Sequence, residues 1–443
     1  MTANRLFRVR ESWVLPIWLC LNLLILFVIH LKSDIPVNIG QWAPKAHEIL
    51  SFHFPTSNFY GPGAALFLIP FLWLAPHYFY ILIIYFLFGA ICFWKICEFV
   101  SSPRLRFLAR CSLPLNIYLI WIINSGTDTV FEFSIFSFFM LMVLKRNSLG
   151  FIIGGVLLAE TRSAYWLTFI VISLFLALER FRKERKIVFK FLVSFPVLLI
   201  ISISNFLIYN SPSPALEAGV TAYYSYTKFH YLALPKMDMD VFLDGQNGPF
   251  SNEFGPDRTS GLSEASLNRL YLDAAKQSLI ENPEENFLGL MQKFDSYIFD
   301  VQKIPQLPGK YVLNMKSNVI EISDSRLSWS MILGYFAFEI WRSIWLVSLV
   351  AGIGVLLVLR RLRVSIRKYF SSVGFLALPW IIGVIPGLLF YTETRFKILA
   401  ELILVPFIAQ VFSLFYIDGA IRGKTLVQSD NTAGGHDVNS NNS

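Results

Sequence analysis

The sequence predicts an all-α polytopic integral membrane protein with about 10–11 transmembrane helices. The chain has 443 residues, of which 55% are hydrophobic and only 15% are charged, whereas soluble globular proteins have about 25% charged residues. Apolar runs long enough to cross a bilayer recur along the chain, and short basic clusters separate them. These three observations exclude an ordinary water-soluble enzyme.

The formal net charge of +8 is best explained by membrane topology. The excess Lys and Arg residues lie in short clusters between apolar runs and not on one continuous basic surface, so membrane lipids are expected partners and nucleic acid is not. The cysteines all fall in or beside apolar segments without metal-type spacing, which indicates packing residues. They are Cys20, Cys92, Cys97 and Cys111.

The first apolar run, residues 13–31, follows Arg5, Arg8 and Arg10. Its length of about 19 residues is enough to span a bilayer, and no small-residue cleavage site follows it, so a signal peptide is disfavoured. The basic residues before it predict a cytoplasmic N-terminus.

If every basic cluster is cytoplasmic, each remaining apolar segment must cross the membrane either an even or an odd number of times. Residues 149–178 must cross twice and turn near Glu160-Thr-Arg162. Residues 62–97 must cross an odd number of times, so that 62–75 is re-entrant or interfacial. The other apolar segments are 105–124, 129–144, 187–209, 330–359, 370–391 and 396–417.

Both termini are then cytoplasmic, and the longer polar segments lie on the opposite side. The large polar segment has no Asn-x-Ser/Thr sequon, and the single one in the chain is Asn441-Asn-Ser443 in the tail, which favours a bacterial inner (plasma) membrane. Periodicity predicts two amphipathic helices within 263–299, separated at Pro283 and lying near the membrane surface.

The chain is therefore divided into four parts. They are an N-terminal transmembrane module (1–209) with an external loop (32–61), an extracytoplasmic loop subdomain (210–329), C-terminal transmembrane helices (330–420) and a disordered cytoplasmic tail (421–443).

Three acidic residues at the predicted outer side are candidates for chemistry. Asp34, just beyond the first helix, could accept a proton from an acceptor hydroxyl, or it could simply cap the interface. Asp128 and Glu132 are four residues apart, which places both carboxylates on one helix face. They could orient an acceptor or hold a divalent metal, and the alternative for Asp128 is a favourable position at a helix N-terminus.

Three basic residues at the same side are candidates for binding a lipid phosphate. Arg395 is the first choice, then Arg162, and Lys397 is third, since guanidinium groups bind phosphate in bidentate geometry. The alternative is that these cations reach the interface or pair with a neighbouring Glu. No Walker A, G-x-G-x-x-G or H-E-x-x-H motif occurs, so no cofactor beyond an optional metal is expected.

The order of these parts resembles the GT-C glycosyltransferases, and most closely the branch of protein O-mannosyltransferases and the lipid A aminoarabinose transferase. Five segments carry the resemblance, together with a helix at 46–50. They are Asn58-Phe-Tyr-Gly-Pro-Gly63, which looks like the family's Tyr-Pro-Pro segment; Gly126-Thr-Asp-Thr129; Leu158-Ala-Glu-Thr-Arg162, which is similar to its Leu-Thr-Arg turn; Ile280-Glu-Asn-Pro-Glu-Glu-Asn-Phe287; and Glu393-Thr-Arg395 through Leu402, which looks like its Arg-Tyr/Phe-Arg turn.

The resemblance implies a GT-C-like fold and an inverting sugar transfer on the extracytoplasmic face, from a polyprenyl-phosphate carrier to a hydroxyl of a lipid, glycan or protein. Asp34 would be the base, and Arg395, Arg162 and Lys397 would bind the lipid phosphate. The family's acidic pair falls in this chain on Asn38, four residues after Asp34, so the base could also lie elsewhere.

Two other functions stay open at this point. A transporter or flippase for a lipid-linked saccharide would bind the same headgroups without chemistry, and an O-antigen polymerase or ligase also has a large outer loop. A transporter should place charged residues near the helix midplanes. Here they crowd the predicted outer ends, which favours the transferase.

Overall fold

The computed structural model describes most of the chain, with gaps that include parts of both predicted outer loops. The described residues are 2–32, 42–55, 62–124, 128–162, 164–184, 189–212, 219, 222, 226, 261–299, 311–314, 319–322, 329–361, 374–389 and 397–414.

The N-terminal part of the described chain is helical throughout. Its helices are α1 (Thr2–Lys32), α2 (Trp42–Leu50), α3 (Gly63–Leu68), α4 (Tyr78–Cys97), α5 (Pro103–Leu115), α6 (Ile117–Asn124), α7 (Thr129–Lys145), α8 (Ser148–Thr161), α9 (Ala164–Glu184), α10 (Phe189–Leu192) and α11 (Ser194–Tyr209), with a 3₁₀ helix (Ile69–His77) between α3 and α4.

The rest of the described chain adds five helices and one small β-hairpin. These are α12 (Glu264–Glu281), α13 (Pro283–Phe299), β1 (Tyr311–Asn314), β2 (Val319–Ile322), α14 (Trp329–Arg361), a 3₁₀ turn (Gly374–Leu376), α15 (Leu378–Leu389) and α16 (Lys397–Leu414).

Five of the described helices contain a stretch long and apolar enough to cross a membrane, as a multi-pass membrane protein requires. These stretches are Trp13–Leu31, Tyr78–Cys97, Ala164–Arg182, Ile340–Val358 and Lys397–Leu414. The pair α5 and α6 meets the same test as one span that bends by 41°. The predicted total of about 10–11 is approached only if the shorter apolar helices also cross, and it stays a prediction.

Two predicted breaks in long apolar runs are confirmed. The run 149–178 divides at Arg162, where α8 ends and the backbone becomes extended (φ −152°, ψ 134°). The run 62–97 divides at Tyr78, where the 3₁₀ helix gives way to α4. Pro70 at the start of that 3₁₀ helix lacks the N–H that a continuous α-helix would need.

Contacts between helices sort several termini into two ends of the molecule. At one end, His30 in the last turn of α1 contacts Phe79 at the start of α4 and Asn124 at the end of α6. At the other end, the Trp18 indole of α1 donates to the Arg110 carbonyl of α5 at 3.0 Å. We call the first the loop end, because it adjoins the predicted external loop, and the second the basic end.

The basic end is held by contacts that bridge distant parts of the chain. The Arg110 guanidinium lies 3.5 Å from the centre of the Trp94 ring, and Arg146 forms an ion pair with Glu179 at 2.6 Å. The Gln410 side chain, near the end of α16, bonds Ser101 before α5. Because α16 is about 26 Å long, its first residue lies toward the loop end.

The helices pack closely where glycine faces an aromatic ring. A Cβ atom at Gly89 of α4 would lie 2.6 Å from the Phe133 ring of α7, and Phe133 is buried. Small residues at such crossings let helix backbones approach, which matters in a bilayer because lipid tails give little hydrophobic drive for association.

The loop subdomain contains the two predicted helices and one feature that was not predicted. Helices α12 and α13 divide at Pro283 as expected. The strands β1 and β2 pair antiparallel, with Tyr311 opposite Ile322. This short hairpin is an addition to a described chain whose other regular elements are all helices, as predicted. Each strand has four residues, which is too short for alternation to stand out in the sequence.

Candidate functional site

Three of the predicted site residues meet at the loop end, and they come from two different segments. The Arg162 Nη2 atom donates to both carboxylate oxygens of Asp128, at 2.9 and 3.0 Å. The Arg162 Nε atom donates to Glu132 Oε1. The hydroxyl of Tyr165, the second residue of α9, donates to Glu132 Oε2 at 3.3 Å. We call Asp128, Glu132 and Arg162 the loop-end triad.

Local structure places each member of the triad. Asp128 immediately precedes α7, and its carbonyl accepts the N–H of Glu132 at 3.0 Å, so the two carboxylates lie one turn apart on one face, as the spacing predicted. Arg162 follows the last residue of α8, where its N–H still donates to the Leu158 carbonyl. The side chain thus leaves the end of one helix and reaches the start of another.

The triad is a largely buried group in which two carboxylates share one guanidinium. The side chains of Arg162, Asp128 and Glu132 are 12%, 10% and 1% exposed. Burying two carboxylates is costly unless a cation and hydrogen bonds accompany them. Arg162 supplies that cation, and the alternative pairing with its neighbour Glu160 is not the one that forms.

The triad carries one negative charge beyond neutrality, with two carboxylates against one guanidinium. Arg162 is therefore oriented by its partners, and a phosphate would have to share it with both carboxylates. Asp128 remains suited to accept hydrogen bonds from hydroxyl groups, since carboxylate oxygens have several acceptor positions.

Two segments that carry the family resemblance touch beside the triad. Gly63 begins α3, and a Cβ atom there would lie 2.7 Å from the Glu160 carbonyl oxygen at the end of α8. The Asn58–Gly63 and Leu158–Arg162 segments are thus neighbours at Gly63, and only a residue without a side chain allows this approach.

A second polar contact at the loop end was missed from the sequence. His30 Nδ1 lies 2.9 Å from Asn124 Oδ1, and the imidazole stacks on Phe79 with 3.8 Å between ring centres. His30 lies inside the first apolar run, where a single histidine gives no pattern, and Asn124 is separated from it by 94 residues. The position of Asn124, at a helix end just before Asp128, was the one available signal.

The described residues give no support to a metal at the acid pair. No group of three or more His, Cys, Asp or Glu side chains that could hold a metal ion occurs in the described part of the chain. At Asp128 and Glu132, the positive charge comes from Arg162 instead.

Lys397 has partners different from the predicted lipid phosphate. Its ammonium donates to the Tyr297 carbonyl of α13 at 2.7 Å and lies 3.5 Å from Glu401 Oε1. Glu401 also accepts the Trp341 indole N–H at 3.0 Å. The side chains of Lys397 and Glu401 are 3% and 0% exposed. This geometry makes Lys397 an anchor for the loop subdomain rather than an exposed phosphate contact.

Two predicted site residues, Asp34 and Arg395, lie outside the described residues, so their roles stay predictions. Of the external loop, the helix expected at 46–50 is present within α2, and Ala46 is fully buried there.

The chain was compared with protein-family models, with curated proteins and with solved structures, and nothing matched it. The case for a function therefore depends on the residues of the loop end.

Proposed function

We propose that the protein is a membrane glycosyltransferase that moves a sugar from a polyprenyl-phosphate carrier to an acceptor hydroxyl at the loop end, which we take to face away from the cytoplasm. The observation that carries the proposal is the loop-end triad. The sequence indicated its members independently, Asp128 and Glu132 as an acid pair and Arg162 as part of a turn. In the structure, Arg162 donates hydrogen bonds to both acids.

The triad supplies groups that such a transfer needs. In an inverting transfer, negative charge develops on the departing lipid phosphate, and an oriented guanidinium stabilises it. Asp128 and Glu132 fix the direction of Arg162, and Asp128 can accept hydroxyl hydrogen bonds from a sugar or an acceptor. Arg395 would add a second phosphate contact, and the resemblance gives Asp34 a place at the acceptor hydroxyl.

A transporter for the same lipid-linked saccharide is the alternative, and the loop end favours transfer over it. The triad lies where the two segments α6–α7 and α8–α9 turn, at helix termini rather than at the middle of a span. Substrate sites of many transporters lie near the bilayer midplane, formed by broken helices.

The test is reconstitution of the purified chain into liposomes with polyprenyl-phosphate mannose, glucose or aminoarabinose, each labelled in the sugar, and with inner-membrane lipid and glycan extract as acceptor. We expect label to move from the carrier to the extract, and Asp34→Asn and Arg395→Ala to reduce this transfer at least tenfold. Movement of the intact labelled lipid between leaflets, without transfer of the sugar from any donor, would contradict the proposal.

A matched control is available in the exposed pair Lys276–Asp273 of α12, whose side chains are 69% and 63% exposed. The variant Lys276→Gln removes a charge without touching the loop end, and we expect its transfer rate to stay within twofold of wild type. Exposed ion pairs of this kind contribute little to stability.

A further inference from the structure

The His30–Asn124 contact is held on two sides and takes no part in the proposed transfer as described so far. The Asn124 side-chain oxygen lies within hydrogen-bond distance of His30 Nδ1, and Phe79 stacks on the imidazole with 15° between the ring planes. The last turn of α1, the end of α6 and the start of α4 together fix the position of one ring. Such fixing is what a group that moves a proton requires.

The contact also selects the tautomer of His30. An amide oxygen can only accept a hydrogen bond, so an Oδ1 partner requires the proton on Nδ1. In the neutral imidazole, Nε2 then carries the lone pair and is the basic nitrogen. His30 is half-buried, so the ring is neither sealed in the core nor freely solvated.

Two buried polar groups at the helix termini that hold His30 have no hydrogen-bond partner among the described residues. They are Asn124 Nδ2 and the Tyr78 hydroxyl, and both residues are buried, Asn124 at 1% exposure. Leaving a buried donor unpaired is unfavourable, because the group has lost its water without gaining a partner. A ligand that brings hydroxyl groups to this place would satisfy both.

The contact and the triad belong to the same part of the molecule. Tyr78 precedes Phe79, the stacking partner of His30, at the start of α4. Asn124 ends the helix that precedes Asp128 in the chain.

We propose that His30 Nε2 accepts the proton of the acceptor hydroxyl, with Asn124 and Tyr78 binding the hydroxyl-bearing acceptor. This assignment rests on the proposed sugar transfer, and it gives His30 the step that the resemblance gives to Asp34. The O–H bond breaks and its proton passes to Nε2. The hydroxyl oxygen bonds to the anomeric carbon, and the electron pair of the breaking carbon–oxygen bond leaves with the polyprenyl phosphate.

The experiment measures transfer by the full chain in liposomes between pH 5 and 9, with whichever of the three labelled donors the wild type uses. If His30 is the base, the rate falls on the acidic side of the profile, because a protonated imidazole cannot accept the proton. We expect His30→Gln to lose transfer about 100-fold or more and to lose this acidic limb. Retention of the labelled donor by the variant should stay within twofold of wild type.

The variant Asn124→Asp is the sharper probe. A carboxylate still accepts the Nδ1 proton, and its charge raises the basicity of the imidazole, so the acidic limb should move to higher pH. A purely structural hydrogen bond would leave the pH profile in place. This variant also carries the test if His30→Gln does not fold.

Chemical rescue adds an independent readout, since free imidazole should restore part of the rate to His30→Ala and none to Asn124→Ala. If the wild type transfers sugar and His30→Gln matches its rate and pH profile, the assignment to His30 is wrong while the transfer stands. Loss of donor binding together with transfer in His30→Gln would also overturn it. A wild type that transfers from no donor overturns both proposals.

Discussion

At the scale of single residues, the partners of Arg162 decide what it can do. The sequence placed Arg162 at a turn of the predicted outer side, and the turn is confirmed. The sequence could not reveal that Asp128, 34 residues earlier, would take its guanidinium, because a long-range ion pair leaves no mark on local periodicity. Glu160, two residues before Arg162 in the sequence, was the nearer candidate, but the structure does not pair it with Arg162.

Removal of Arg162 should destabilise the chain strongly. Arg162→Ala leaves Glu132, at 1% exposure, as a buried carboxylate without its cation, and we expect a loss of about 3–5 kcal/mol in the free energy of unfolding. Denaturant titration in detergent micelles, followed by tryptophan fluorescence, measures it.

The double variant Arg162→Ala/Glu132→Gln separates the buried charge from the side-chain contacts. It removes the uncompensated carboxylate as well, so it should recover about half or more of the loss. A double variant as unstable as Arg162→Ala would contradict the electrostatic explanation, and Lys276→Gln should differ from wild type by less than about 0.5 kcal/mol.

Other residues could not be predicted for a different reason. His30 is one polar side chain in a long apolar run, and such a residue is as common in a structural contact as at a site. Lys397 reaches the Tyr297 carbonyl across 100 residues, and only the fold brings them together. Asp128 and Glu132 were recognisable, because a spacing of four has a fixed meaning on a helix.

At the scale of elements, the contact between α13 and the apolar helices defines the position of the loop subdomain. The Tyr297 hydroxyl donates to the Trp380 carbonyl of α15 at 2.9 Å, and it approaches Gly383, where a Cβ atom would lie 2.5 Å away. Lys397 of α16 holds the Tyr297 carbonyl. The last turn of α13 therefore packs among apolar helices, whereas amphipathicity alone predicted a helix lying near the membrane surface.

Breaking this contact should release α13, and it also leaves the buried Glu401 carboxylate without the Lys397 ammonium, which lowers the stability of the surrounding helices. Lys397→Met removes the ammonium that binds the Tyr297 carbonyl, and we expect backbone amides of α13 to exchange hydrogen at least tenfold faster, since local opening no longer breaks that bond. Hydrogen–deuterium exchange with peptide mass spectrometry measures it.

The control for this prediction is Lys276→Met in α12, a lysine with an exposed side chain. It should leave the exchange of α13 as in wild type. Equal exchange in Lys397→Met and wild type would show that Lys397 does not anchor α13.

The two structural features of this region were not equally predictable from the sequence. Pro283 indicates the break between α12 and α13, because proline interrupts a helix. Strands of four residues are too short to show a clear alternation of apolar and polar residues.

At the scale of the whole molecule, the contacts between helix termini agree with the alternation that the basic clusters predicted. His30 and the triad lie at one end, whereas Arg146 follows the last residue of α7 and the Arg110 carbonyl bonds Trp18 toward the other end. The assignment of the basic end to the cytoplasm stays a prediction of the positive-inside pattern. The number of crossings was less predictable, because helices of 12–16 residues can cross, re-enter or end inside a bundle.

The predicted sidedness of the two ends can be measured. Single cysteines at Lys276 and at Arg104, in a chain whose four native cysteines are replaced by serine or alanine, should react from opposite sides of intact cells with a maleimide that cannot cross the membrane. We expect labelling at position 276 from outside and at position 104 only after permeabilisation. Labelling of both from the same side would contradict the predicted topology.

The central claim is that the loop-end triad serves sugar transfer, and Arg162→Lys tests it most directly. Lysine keeps the charge but cannot reproduce the fork that bonds Asp128 and Glu132 together. The measurement is the rate of label transfer from the polyprenyl-phosphate donor in liposomes, for wild type, Arg162→Lys and Lys276→Gln at equal amounts of folded protein. We predict a loss of at least tenfold in Arg162→Lys and none beyond twofold in the control. Equal rates in all three chains would contradict the claim.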